Sequence, residues 1–95
     1  VGGLSGPAIR PVAVKMVWET YNKIKIPIIG MGGIMDTKSA LEFFIAGATV
    51  VSVGTVNFIN PQASLEIIAG LEQYMLDNNM QNLSQLIGRL KACRI

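Results

Sequence analysis

Apolar residues recur along this chain at helical spacing in some stretches and as short unbroken runs in others. Val12, Met16, Val17 and Tyr21 share one side of a 3.6-residue period and predict a helix running to about Asn22. Pro7 and Pro11 bracket its start, where the missing N–H of proline costs little. Lys15 and Glu19 form an i,i+4 pair on the other side. Lys23-Ile24-Lys25-Ile26 then alternates, until Pro27 ends the alternation. The run Ile28-Ile29-Gly30 reads as a strand buried on both faces, as in a parallel sheet.

Asp36 is the expected N-cap of a second helix, with Ser39 in its first turn. Ala40, Leu41, Phe44 and Ile45 give that helix one apolar face, and Gly47 suits the left-handed residue that closes it. The β-branched run Thr49 to Val53 predicts a second strand. Asn57 to Asn60 suggests a short helical turn, after which Pro61 opens a longer helix. Leu65, Ile68, Leu71 and Met75 are its expected inner side, and Asp77-Asn78-Asn79 ends it. Asn82 or Ser84 caps a last short helix through Leu90. The order is therefore loop, helix, strand, helix, strand, helix, helix. Strands alternating with helices predict α/β architecture built from βα units on a parallel sheet.

Composition adds a question of size. Hydrophobic residues alone make up 51% of the 95 residues, above the about 45–50% of an average chain counted with its glycines. A chain this small hides only about two-thirds of its unfolded surface. So apolar a chain is expected to associate or to form part of something larger. Residues 1–95 read as one partial domain, an incomplete set of βα units from a barrel that needs about 250 residues.

Charge excludes some classes of function. Eight basic and six acidic residues are scattered to a net +2, which leaves no footprint for nucleic acid or an anionic membrane. Arg89, Lys91 and Arg94 collect at the tail without interleaved aromatics and read as a solvated helix end. The longest uncharged run, Phe43 to Leu65, is broken by Gly47, Gly54, Asn57, Asn60 and Pro61, so it is no membrane span. Val1-Gly2-Gly3 opens no signal peptide. The single cysteine, Cys93, builds neither a disulfide framework nor a metal cage and fits a cytoplasmic compartment.

Both strands end in glycine. Gly32-Gly33 follows the first and Gly54-Thr55 the second, about twenty residues on. Each turn alone is equally well read as a tight βα connection. Together, two adjacent parallel strands ending in bare backbone aim several N–H groups at one point, which suits phosphate. The loops after strands 7 and 8 of a (β/α)8 barrel form such a site. A further loop, Gly2-Gly3-Leu4-Ser5-Gly6, is either a flexible connector or a ligand-hugging segment, and composition does not choose.

Three strings carry a family resemblance: Gly-Gly-Leu-Ser-Gly-Pro-Ala-Ile-Arg-Pro from Gly2, Ile-Pro-Ile-Ile-Gly-Met-Gly-Gly-Ile from Ile26, and Ala-Gly-Ala before a strand ending in Val-Gly-Thr. From residue 2 to about residue 76 the chain resembles the C-terminal part of dihydroorotate dehydrogenase. It most resembles the class 1 catalytic subunit whose partner passes electrons to NAD. Dihydropyrimidine dehydrogenase, with a similar flavin domain, is a near neighbour.

The resemblance implies the C-terminal βα units of a TIM (β/α)8 barrel, with FMN at the C-terminal ends of the strands. It implies oxidation of dihydroorotate to orotate in pyrimidine synthesis, and a partner subunit carrying FAD and an iron–sulfur cluster. Carried over, Gly6 would touch the phosphate or ribityl region of the flavin. Gly32 and Gly33 would offer N–H groups to the FMN phosphate, and Gly54 and Thr55 would do so from the next strand.

The family's catalytic base, a cysteine or serine, lies upstream of anything here. No residue of this chain is therefore assigned a catalytic role, no metal is expected, and the chain alone is expected to be inactive. Cys93 and Ser5 are not that base. Trp18 and Tyr21 are expected to pack, or to meet another subunit. Two alternatives share the glycine turns or the apolar faces: another phosphate-binding TIM-barrel enzyme, such as a phosphosugar isomerase or synthase, and a self-associating partial barrel without a cofactor.

Overall fold

Pro7 begins a single 3-10 turn, Pro7–Ile9, and Pro11 sits in the first turn of helix α1, Arg10–Tyr21. The start of the first helix thus falls where the two prolines put it. The computed structural model describes residues 5–88. The Gly2-Gly3-Leu4 part of the first loop, the end of the last helix at Leu90, the basic tail and Cys93 lie outside the described residues.

Strand β1, Ile29–Met31, runs parallel to strand β2, Val50–Ser52, with Ile29 opposite Val50, Gly30 opposite Val51 and Met31 opposite Ser52. Helix α2, Thr37–Ala46, connects them. It packs on both strands and on both of its helical neighbours, α1 and α3, Ala63–Asp77. A 3-10 turn over Thr55–Phe58 leads out of β2, and another over Leu83–Gln85 follows α3.

Local chemistry explains the boundaries of α2. The Ser39 N–H donates to Asp36 Oδ1 at 2.9 Å, and the Asp36 N–H donates to Ser39 Oγ at 3.0 Å. This reciprocal box satisfies two of the N–H groups that a helix start leaves without partners. At the other end Gly47 takes φ +133°, and its N–H reaches the carbonyls of Phe43 and Phe44. Asn60 serves the start of α3: its Oδ1 accepts from the Gln62 N–H at 3.1 Å, while its Nδ2 donates to Glu66 at 2.7 Å.

The core gathers under α2. Phe43, Ala40, Ala46 and Ala48 are fully buried, and Phe44, Ile34, Ile67, Leu71, Val17 and Leu86 close around them. Gly30 lets the Phe43 ring approach the sheet, since a Cβ there would stand 2.6 Å from Phe43 Cδ1.

Three apolar surfaces differ from the sequence expectation. β1 is covered on one face only: Gly30 is buried, whereas Ile29 and Met31 are 67% and 62% exposed. Successive side chains in a strand point to opposite faces, and the Phe43 ring of α2 covers the Gly30 side. In α3 the inner side is Ala63, Ile67 and Leu71, while Leu65 and Ile68 face out. The reason is the close approach of α3 to α2 at Gly70, where a Cβ would stand 2.8 Å from Thr37 Cβ. That contact turns Ile67 inward and its neighbour Ile68 outward. In α1, Val17 is buried with Ala13, Val14 and Trp18 partly covered, while Val12 and Met16 lie open.

Candidate functional site

Two turns and one loop meet at the C-terminal ends of the strands. Among the residues lining a cleft of about 200 Å³ there are Gly6, Gly32, Gly33, Gly54 and Thr55, the five positions singled out from the sequence. Ser5, Ile9, Met31, Ile34, Met35, Ser52 and Val56 complete it.

Each turn is pinned from below. The residue after Gly33 is Ile34, and the residue after Thr55 is Val56; both are 4% exposed. These buried side chains hold the turns against the protein and leave the glycine backbone at the rim. Gly32 and Gly33 take φ +120° and +78°, values natural to glycine and costly to other residues. Among the described residues, the N–H groups of Gly33, Gly54 and Thr55 make no backbone hydrogen bond, while the Gly32 N–H stands at the end of the parallel ladder, beside Ser52. Backbone N–H groups are strong donors, and these stand in half-exposed or exposed turns, open to solvent or to a ligand.

Among the described residues, the lining carries no charged side chain. An anion here would be held by N–H groups alone, each charge-assisted bond contributing about 1.5–3 kcal/mol. Asp36, one residue beyond the lining residue Met35, is turned to another task. Its carboxylate accepts the Ser39 N–H and hydroxyl, and these bonds, the backbone one foremost, hold its pKa below the ordinary 3.8. Among the described residues there is no group of three or more His, Cys, Asp or Glu able to hold a metal, and no helix is long and apolar enough to cross a membrane.

The cleft tests the fit of a phosphorylated cofactor. Among the described residues, a Cβ placed on Gly6 or Gly54 meets no atom within 4 Å, which leaves space in front of the backbone at two points. The volume of the cleft is below the about 300–1,000 Å³ typical of pockets that take a whole organic ligand. It suits a phosphate and the first atoms attached to it.

Reading the sequence alone missed Met31 and Ser52 as lining residues. They are register partners on the bare face of the sheet, at the last position of each strand. Their signal was available in the period-2 alternation, had the strands been read as covered on one face. Ile9 has no such signal, because it arrives from the 3-10 turn before α1.

Comparison with known proteins gives the cleft a context. Residues 1–75 match the sequence model of the family described as Dihydroorotate dehydrogenase. The catalytic subunit of dihydroorotate dehydrogenase B (NAD(+)) from Lachnoclostridium phytofermentans is 56% identical over 90 residues, covering 95% of this chain and 30% of that protein. The subunit of the same name from Caldicellulosiruptor bescii is 57% identical over 89 residues, covering 94% and 30%. The crystal structure of a dihydroorotate dehydrogenase from Eimeria tenella, solved with ferulenol, superposes with a TM-score of 0.86 at 27% identity, over 94% of this chain and 24% of that one. The chain thus spans about 30% of the length of the curated relatives it matches.

Proposed function

This chain belongs to the dihydroorotate dehydrogenase family, and from that premise we propose that it supplies the FMN-phosphate grip of an enzyme that oxidises dihydroorotate to orotate in de novo pyrimidine synthesis. The observation that carries the reading is the convergence of Gly6, Gly32, Gly33, Gly54 and Thr55 on one uncharged cleft, with N–H groups at Gly33, Gly54 and Thr55 that make no backbone hydrogen bond.

The N–H groups of Gly32 and Gly33 hold the phosphate from one side and those of Gly54 and Thr55 from the other. The Thr55 hydroxyl adds a donor. Gly6 leaves room for the phosphate or ribityl end. When bound, FMN accepts the hydride that leaves dihydroorotate. The role of this chain is to orient that group by its phosphate, with a fixed backbone that needs no rearrangement on binding. The base that removes the substrate proton belongs to residues outside these 95.

The names of the relatives support a division of labour. A catalytic subunit of the NAD-linked kind passes its electrons to a partner subunit, here one carrying FAD and an iron–sulfur cluster. An oligomeric assembly in the cytoplasm is the fitting setting.

The test is to denature the natively purified protein and identify the small molecule it releases. FMN is expected in stoichiometric amount. A sugar phosphate in its place would transfer the cleft to another class of phosphate-binding barrel, and absence of any flavin would contradict the proposed grip.

A further inference from the structure

The turn that carries Gly33 leans on the first residue of α1. A Cβ on Gly33 would stand 2.7 Å from Arg10 Cβ, 3.0 Å from the Arg10 backbone nitrogen and 2.7 Å from the Gly6 carbonyl oxygen. The Gly33 turn therefore touches the Gly6 carbonyl and the backbone of Arg10 together, so a shift of Arg10 is felt where the two cleft-lining segments meet. Its side chain leaves the cleft and brings Nε to 2.9 Å from Glu42 Oε2 on α2. Helix α2 is the element that the Gly32-Gly33 turn feeds, through the Asp36–Ser39 box. The ion pair closes a ring: Gly6 loop, start of α1, α2, and back to the glycine turn.

Stability alone is a weak reason for this pair. Its side chains are 33% and 40% exposed, and such pairs contribute about 0.2–1 kcal/mol. Neither side chain lines the cleft.

We propose that Arg10 and Glu42 are positioning residues for the anion cleft. Their ion pair sets the spacing between the Gly6 loop and the Gly32-Gly33 turn, and so the convergence of the donors. The inference rests on the anion reading of the cleft given above.

The test is a double-mutant cycle in the native protein with Arg10→Gln and Glu42→Gln. It reads rebinding of FMN and of inorganic phosphate to the apoprotein, well below the thermal midpoint. Each single variant is expected to weaken FMN binding about fivefold, and the double variant no further. The apoprotein midpoint is expected to move by only a few degrees. Unchanged affinity with a lowered midpoint would make the pair merely structural and overturn the proposal, as would losses that add. A wild-type apoprotein that rebinds neither FMN nor phosphate would overturn the proposed function and this inference together.

Discussion

At the Gly32-Gly33 turn the backbone has φ +120° and +78°, and a Cβ on Gly33 would press on Arg10 and on the Gly6 carbonyl. At Gly54, across the same cleft, φ is −114° and a Cβ would meet nothing within 4 Å. The first turn needs glycine for the fold itself. The second has no neighbour among the described residues that a side chain would strike. On the proposed function, that open space is where the phosphate approaches the backbone closely. Two glycines that look alike in the sequence thus differ: packing requires glycine at Gly33, and among the described residues it makes no such demand at Gly54.

Substitution by alanine separates the two. Gly33→Ala is expected to lower stability by about 3 kcal/mol, combining a positive-φ side chain with an overpacked contact, read from the midpoint of denaturant unfolding. A change within experimental error would mean that the turn is free to relax, and the contrast with Gly54 would weaken. The next effect is smaller and sharpens the packing side. Asp36→Ala is expected to cost about 1 kcal/mol through loss of the α2 cap.

Because the Asp36 pKa is lowered on folding, the stability it contributes is present above its unfolded value, near 3.8, and is lost as pH falls through the lower folded value. The difference in stability between wild type and variant should therefore shrink below about pH 4. A difference that persists undiminished at lower pH would show that the cap works through shape rather than charge.

Much of this was legible in the sequence because it is local. Asp36 with Ser39, Gly47 after an apolar helix, and a proline on each side of a helix start are all decided within one turn of chain. The convergence of the two glycine turns was legible as well, because parallel strands joined by one helix must end at the same edge. The facing of apolar surfaces was not legible. Ile67 and Ile68 are adjacent and equally apolar, so periodicity does not say which turns inward; the contact of Gly70 with Thr37 decides it. The same holds for β1. A run of isoleucines suits burial on both faces, yet within this chain Ile29 and Met31 are exposed. In α3, long-range packing made the choice. The Arg10–Glu42 pair, 32 positions apart in sequence, left no trace in local spacing either.

The most direct measurement is the paired effect of Gly54→Ala on stability and on FMN affinity in the native protein. Stability should stay within about 0.5 kcal/mol of wild type, while FMN affinity falls about tenfold as the new methyl group meets the phosphate, a loss of about 1.4 kcal/mol. Undiminished affinity, or a loss of stability as large as that of Gly33→Ala, would contradict the claim that the open space at Gly54 belongs to a bound phosphate.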